Sequence, residues 1–220
     1  MASPRPASAP EALLLVTTRC PHCQATLDAL ARLVKAGTLA RLTIVNLDAN
    51  PQAAEAVGVR SVPWTRLGPF ELIGAQSAAD LARWAELAAS GQGRGTYLAH
   101  LIETQRLPAV IECVRSQPSA MSDLLNLVAT NDTPLTVRIG ISAVIESVAG
   151  EPALRAAVGE IEALALADSP QVRADACWFL GLAGDPGALP TVRRLLDDEQ
   201  ADVREVASEV LGILTGAPGE

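Results

Sequence analysis

Two cysteines separated by two residues, Cys20-Pro21-His22-Cys23, are the side chains of this chain best suited to covalent chemistry. An apolar run at residues 13–16 precedes them, and a helix-like pattern follows from residue 24. Cysteines at this spacing, where a strand turns into a helix, are typical of reversible thiol–disulfide exchange. The pattern places Cys20 at the helix amino terminus, where free N–H groups and the helix dipole favour a thiolate. Cys23 then lies one turn inside, placed to attack a mixed disulfide.

The residues around the cysteines support the same chemistry. A free thiol titrates near about 8.5, and cationic neighbours at a helix amino terminus lower this pKa to about 3.5–7.5. Arg19 and His22 supply such neighbours, and Pro21 and His22 form the two-residue spacer. The alternatives are an inert structural disulfide, or a metal cluster shared between two chains. A closed zinc site needs four ligands, and no second cysteine pair exists, so we predict no metal and no cofactor.

Composition and charge divide the chain into two dissimilar parts. Hydrophobic residues make up 49% of the 220 residues and aromatic residues only 3%, which favours tightly packed helices. Residues 1–90 carry 8 Lys+Arg and 7 Asp+Glu, a net charge of +1. Residues 91–220 carry 9 and 18, a net charge of −9. The acidic second part argues against a nucleic-acid partner.

The start of the chain bears on its compartment. Residues 1–10 are rich in Pro, Ala and Ser and are predicted to form a disordered leader. The apolar stretch that follows is too short for a signal-peptide core, and no apolar run approaches the ~20 residues of a membrane span. We therefore expect a cytoplasmic protein, in which paired cysteines are more often redox-active or metal-binding than structural.

Residues 11–90 alternate between strand and helix patterns. Strands are predicted at residues 13–17, 42–47, 59–64 and 70–73, and helices at residues 21–36, 52–57 and 78–89. The second strand is almost continuously apolar, which suits a parallel strand buried on both faces. Residues 48–51 are predicted to form a turn with an N-cap, and Ser77 to cap the last helix. The order β-α-β-α-β-β-α defines an α/β fold.

This order resembles the thioredoxin superfamily over about residues 11–90. The resemblance rests on the cysteine motif after the first strand, Asp48-Ala49-Asn50-Pro51 after the second, and Gly58-Val59-Arg60-Ser61-Val62-Pro63 before the third. It implies a thioredoxin-like fold, a cis peptide bond before Pro63, and a Val62 backbone that hydrogen-bonds substrate peptide beside the cysteines. The leading strand and helix of full-length thioredoxins are missing, so the outline is closer to glutaredoxin. Cys-Pro-His-Cys also resembles the motif of strongly oxidising periplasmic disulfide oxidases.

The chain departs from thioredoxins at two positions. Thr17-Thr18-Arg19 precedes the motif, where thioredoxins carry a tryptophan. Leu14 stands six residues before Cys20, where thioredoxins often carry a buried acid. Trp64, which follows Pro63, is bulkier than the family's usual residue and either narrows the substrate groove or packs in the core.

Beyond a predicted glycine linker at residues 91–95, residues 96–220 show helical patterns and an internal repeat. The pairs Val137-Arg138, Val172-Arg173 and Val203-Arg204 lie 35 and then 31 residues apart, and each is followed by an apolar helix and a glycine. This period predicts three or four stacked helix pairs and resembles HEAT repeats of the short type. The acidic run at residues 197–199 is predicted to be a solvated turn, and Cys113 and Cys177 to be buried, unreactive thiols.

These features predict a two-domain thiol–disulfide oxidoreductase. Cys20 attacks a disulfide in a protein substrate and Cys23 resolves the mixed disulfide, or the reverse reaction oxidises a dithiol. A cytosolic reductant such as thioredoxin reductase or glutathione would restore the dithiol, and the repeats would position a protein partner. The alternative is a redox-sensitive adaptor whose repeats bind the partner and whose thioredoxin-like domain has little turnover. Neither alternative involves nucleic acid or a membrane.

Overall fold

The computed structural model describes residues 9–130 and 132–216, which divide into two compact units between Gly93 and Arg94. The first unit has the predicted order β-α-β-α-β-β-α. Its elements are β1 (Glu11–Val16), α1 (Cys23–Lys35), β2 (Arg41–Asn46), α2 (Gln52–Glu55), β3 (Trp64–Leu67), β4 (Phe70–Ile73) and α3 (Ala78–Ser90). Ser77 caps α3 as predicted, because its side chain accepts the N–H of Asp80.

The four strands form one mixed sheet in the order β2-β1-β3-β4. β1 and β2 are parallel, whereas β3 runs antiparallel to both β1 and β4. Leu15 of β1 lies opposite both Val45 of β2 and Trp64 of β3. The loops that leave β1 and β2, and the segment that enters β3, therefore emerge at the same end of the sheet.

A small core holds this unit together. Leu14, Leu30, Leu72 and Leu81 are buried completely, and they come from β1, α1, β4 and α3. Trp64 is only 1% exposed, so of its two predicted placements the structure shows the core. Each element of the unit except β2 and α2 thus contributes a fully or almost fully buried side chain.

Two strand predictions were wrong in part. β2 is parallel, as expected, but it lies at the edge of the sheet and Ile44 is 46% exposed. None of its six residues is fully buried, so its apolar residues are not covered on both faces. β3 begins at Trp64 rather than at residue 59, because the segment that ends in the cis peptide Val62–Pro63 runs as a loop.

The predicted leader lies mostly outside the described residues, and the predicted linker overlaps the start of the next helix. Residues 1–8 of the leader lie outside the described residues, and Pro10 is buried, with its carbonyl oxygen 2.9 Å from the N–H of Ala40. At the linker, Gly91 ends α3 in the left-handed conformation, but Arg94 and Gly95 belong to the next helix. The ion pair between the guanidinium of Arg94 and Asp123 fixes the first turn of that helix.

The second unit is helical throughout its described residues. Its helices are α4 (Arg94–Glu103), α5 (Leu107–Ser116), α6 (Ser119–Ala129), α7 (Leu135–Ser147), α8 (Pro152–Ala156), α9 (Val158–Leu164), α10 (Pro170–Ala183), α11 (Leu189–Leu195) and α12 (Ala201–Thr215), with a short 3-10 turn at Pro186–Ala188. Buried side chains from all nine helices form one continuous core. Glycines allow close packing of two helix pairs, since Gly140 of α7 faces Ile102 of α4 and Gly181 of α10 faces Val210 of α12.

The repeated Val-Arg pairs lie inside the first turns of α7, α10 and α12 rather than before these helices. The three valines are at most 1% exposed, so they anchor each helix in the core. The arginines reach back to carbonyl oxygens of the preceding segment: Arg138 to Val128, Arg173 to Ala167 and Asp168, and Arg204 to Asp198 and Glu199. Each pair therefore joins one helix to the turn before it.

Two of these arginines also bind a carboxylate from further along the chain. Arg138 pairs with Asp175 of α10, and Arg173 makes a bidentate pair with Asp198, with two contacts of 2.8 Å. The prediction of a solvated turn at residues 197–199 was wrong for Asp198, whose side chain is only 7% exposed. The guanidinium of Arg173 lowers the pKa of the Asp198 carboxyl below its ordinary value.

Candidate functional site

Cys20 and Cys23 are joined as a disulfide at the amino end of α1, with their Cα atoms 5.5 Å apart. Cys20 lies three residues before the helix and is half-exposed, whereas Cys23 is its first residue and is only 5% exposed. Cys20 was predicted to lie at the helix terminus and Cys23 one turn inside, but Cys20 lies in the loop before α1 and Cys23 begins the helix. An attacking reagent thus reaches the sulfur of Cys20 more easily than that of Cys23.

The spacer residues are exposed and make few contacts. Pro21 and His22 form the turn between the cysteines, and both are exposed. His22 occupies the N-cap position, but its side chain makes no capping hydrogen bond. Its carbonyl oxygen accepts the N–H of Thr26 at 3.4 Å, which begins the hydrogen bonding of α1. The imidazole therefore lies at the surface, between the two cysteines in sequence.

Val62 and Pro63 are at the same end of the sheet as the cysteines. Leu15 lies opposite Trp64, so Pro63 immediately precedes the pairing of β3 with β1. The peptide bond between Val62 and Pro63 is cis, as the resemblance implied, and the Pro63 carbonyl accepts the N–H of Gly74 at 2.9 Å. Pro63 is buried and Val62 is half-buried.

A clamp that the sequence did not reveal holds the loop before Cys20. The Asp48 carboxylate accepts the backbone N–H of Thr18 at 2.7 Å. The Asn46 side chain joins Thr18 to Asp48. Its NH2 group donates to the Thr18 hydroxyl at 3.2 Å, and its oxygen accepts the N–H of Asp48 at 2.9 Å. The Thr18 hydrogen bonds and the nearby Arg19 hold the pKa of Asp48 below its ordinary value. Residues 48–51 were predicted to form a turn with an N-cap, and the N-cap of α2 is Pro51, which makes no side-chain capping hydrogen bond.

We expect Asp48→Ala to loosen the loop that carries Cys20. The substitution removes the acceptor for the Thr18 N–H, so exchange of this amide with solvent deuterium should become at least about tenfold faster. Asp28→Ala is the matched control, because Asp28 is also exposed and accepts only the Gln24 side chain on α1. Equal exchange at Thr18 in the wild type and Asp48→Ala would mean that the clamp does not order the loop.

The interior of this unit holds no ionisable side chain in its described part. Its buried polar residues are Thr26 and Thr65. The Thr65 hydroxyl lies on β3 opposite Leu14 and has no hydrogen-bond partner among the described residues. Leu14 is itself fully buried, and neither threonine ionises at neutral pH, so the described interior of this unit contains no carboxylate.

The two remaining cysteines lie in the second unit. Cys177 is fully buried in α10, and burial raises the pKa of its thiol to about 12. Cys113 is half-buried in α5, less than predicted, and burial raises the pKa of its thiol as well. A high pKa keeps both as thiols at neutral pH, so they are poor nucleophiles.

Residues 9–130 and 132–216 contain neither a metal-binding cluster nor a membrane-spanning helix. These residues contain no cluster of three or more His, Cys, Asp or Glu side chains placed to hold a metal ion. In the same residues, no helix combines the length and the apolar character that crossing a membrane requires.

Comparison with known proteins bears on the second unit. The HEAT repeat family matches residues 160–219, which confirms the repeat prediction for α10, α11 and α12. A search of curated proteins finds no match to the chain. The HEAT match indicates a helical region of the kind that binds protein partners, and the first unit is an α/β unit that carries a Cys-X-X-Cys disulfide.

Proposed function

We propose that this chain is a thiol–disulfide oxidoreductase with a thioredoxin-like first unit, and that its HEAT-like repeats hold a protein partner. The observation that carries the proposal is the unequal exposure of the Cys20–Cys23 disulfide at the amino end of α1. The order of elements, the clamp at Thr18 and the adjacent Pro63 segment support it. We place the activity in the cytoplasm, where a reductant such as thioredoxin reductase or glutathione would act on the disulfide.

The exchange proceeds in two steps in the reducing direction. The thiolate of Cys20 attacks one sulfur of a substrate disulfide, a mixed disulfide forms, and the other substrate sulfur leaves as a thiolate. The thiolate of Cys23 then attacks the sulfur of Cys20 and expels the second substrate thiolate. The substrate gains two electrons and two protons, and the cysteine pair loses them. The departing thiolate or water takes the proton of Cys23, because the interior offers no carboxylate.

The positive groups near Cys20 favour its thiolate. His22 and Arg19 are exposed beside it in the chain, and the first N–H groups of α1 point toward the helix amino end. No acidic residue occupies the first turn of α1, so no carboxylate there opposes the thiolate. A stabilised thiolate stabilises the reduced pair and makes the disulfide a stronger oxidant.

A reduction potential tests the redox role. We expect the Cys20/Cys23 pair to equilibrate reversibly with glutathione and dithiothreitol buffers as a two-electron couple between about −270 and −120 mV, the range from thioredoxin to strong oxidants. A value near the lower end would indicate a reductase, and one near the upper end an oxidant. The measurement uses a chain with Cys113→Ser and Cys177→Ser, so that only the pair titrates.

The same measurement separates the redox role from its alternatives. Structural disulfides have potentials below about −300 mV, so a value in that range would make the pair structural. A reversible couple without turnover on protein disulfides would favour the adaptor, in which the repeats bind the partner and the cysteines only sense redox state. The HEAT match over residues 160–219 is the observation that favours this second candidate.

A further inference from the structure

One helix of the second unit presents large apolar side chains to solvent. Leu135 and Ile139 of α7 are 64% and 61% exposed, and they lie four residues apart, so they share one face. Ser142 and Glu146 continue this face along the helix. In the described part of the chain, no other helix or strand carries two large hydrophobic side chains exposed to this degree. We call these four residues the α7 face.

The neighbouring helix extends the α7 face. The ion pair between Arg138 and Asp175 joins α7 to α10. Trp178 and Leu182 follow Asp175 at helical spacing, and both are partly exposed although they also touch the core. The Arg138–Asp175 pair thus places the helix that carries Trp178 and Leu182 beside α7, and tryptophan is among the residue types that contribute most at the centres of interfaces.

The charge around this surface indicates which partner it takes. Residues 94–220 carry 9 Lys+Arg and 18 Asp+Glu. Glu146 lies on the α7 face itself, and Glu205 and Glu209 are exposed on α12, which packs against α10. A second copy of the chain would bring two strongly acidic units together, which like-charge repulsion disfavours. A partner with Lys and Arg around an apolar stripe complements both the exposed apolar side chains and the negative charge around them.

We propose that the α7 face, with Trp178 and Leu182, binds a basic amphipathic helix of a partner protein. The spacing of Leu135 and Ile139 matches the three- and four-residue spacing of apolar side chains on such a helix. Apolar contact supplies affinity, and Glu146, Glu205 and Glu209 orient the helix and speed its association. This inference rests on the proposed partner-binding role of the repeats and is independent of the chemistry of the cysteines.

Peptide binding to the full chain tests the proposal. The probes are three fluorescein-labelled 15-residue peptides: an amphipathic Leu/Lys helix, a Leu/Glu helix with the same pattern, and a Leu/Lys peptide of scrambled order. Fluorescence anisotropy should show saturable binding of the Leu/Lys helix, at least tenfold tighter than that of the other two. The affinity should fall as salt is added.

Two variants locate the binding. The double variant Leu135→Ser/Ile139→Ser should bind the Leu/Lys helix with at least tenfold lower affinity than the wild type. Leu166→Ser is the matched control, because Leu166 is 66% exposed, lies outside α7, and should leave the affinity unchanged. All three positions are exposed, so circular dichroism should show intact helices in both variants.

Different results would contradict the binding proposal in different ways. Equal affinity for the Leu/Lys and Leu/Glu helices, or wild-type affinity in the double variant, would overturn the proposal. A wild-type dimer in sedimentation that the double variant converts to monomer would assign the face to a second copy instead. The potential of the cysteine pair is measured separately, on the chain with Cys113→Ser and Cys177→Ser. Absence of a reversible couple there would contradict the redox role without affecting the proposed binding surface.

Discussion

Cys20→Ser should abolish reduction of a disulfide substrate, with a loss of at least about a thousandfold, the scale seen when other enzymes lose their nucleophile. Cys20 is the half-exposed sulfur of the pair, so its loss removes the group that a substrate disulfide can reach. Turnover of a model protein disulfide with dithiothreitol as electron donor gives the rate. This step depends on the thiolate of Cys20, which no other described cysteine replaces.

Cys23→Ser should produce a different defect. Cys20 can still attack, but the buried sulfur that would release the substrate is missing. Mixed disulfides between the chain and its substrate should accumulate and appear as a higher-mass species on non-reducing gels. Addition of dithiothreitol should reduce the mixed disulfide and release the chain and the substrate as separate species.

The other two cysteines provide the controls. Cys113→Ser and Cys177→Ser should keep wild-type turnover, because burial raises the pKa of both thiols and leaves little thiolate. If Cys20→Ser and Cys23→Ser both retained wild-type turnover, the oxidoreductase proposal would be wrong.

The second large effect concerns the stability of the repeats. Arg173→Met should lower the free energy of unfolding by about 3–5 kcal/mol, the usual result of removing one partner of a buried pair. The substitution leaves the Asp198 carboxylate, 7% exposed, without its bidentate partner and removes two hydrogen bonds to carbonyl oxygens. Urea denaturation followed by far-ultraviolet circular dichroism measures the change.

Arg204→Met is the matched control for this prediction. Arg204 holds the equivalent place in α12 and donates to the carbonyl oxygens of Asp198 and Glu199, but it is exposed. Its replacement should change stability much less, because water solvates the groups that it leaves. Equal losses in the two variants would contradict the special role of the Arg173–Asp198 pair.

The difference between wild type and Arg173→Met should also depend on pH. Arg173 lowers the pKa of Asp198 in the folded chain below its ordinary value of 3.8. The pair therefore stabilises the fold fully above the unfolded pKa, and this contribution is lost as pH falls through the lowered value. The stability gap should be constant near pH 7 and should narrow below about pH 4. A gap that widened in acid would rule out the charged pair as its source.

Local patterns predicted much of this protein. The order β-α-β-α-β-β-α, the cap at Ser77 and the HEAT-like region over residues 160–219 all follow from hydrophobic spacing, a capping residue and an internal repeat. The Cys-X-X-Cys motif is equally local, since Cys20 and Cys23 are only three residues apart. Such features depend on neighbours within one helical turn or one strand, which the sequence displays directly.

Features that join distant parts of the chain were predicted poorly. The apolar pattern of β2 indicated a strand buried on both faces, but burial depends on which elements cover those faces, and no residue of β2 is buried in the structure. Asp48 lies in the segment at residues 48–51, for which the sequence predicted only a local turn with an N-cap. It instead binds Thr18, 30 residues away, because the parallel pairing of β1 and β2 brings their carboxyl ends together.

The acidic run at residues 197–199 also shows a local pattern overridden by a contact with a distant residue. Its composition indicated a solvated turn, whereas the packing of α10 brings Arg173 onto Asp198 and buries both side chains. The sequence alone determined which helices and strands form and which two cysteines lie close enough to pair, because these depend on contacts within a few residues. Only the tertiary structure decided which side chains are buried, which charges are paired and which loop holds Cys20, because these depend on the residues that folding brings together from distant positions.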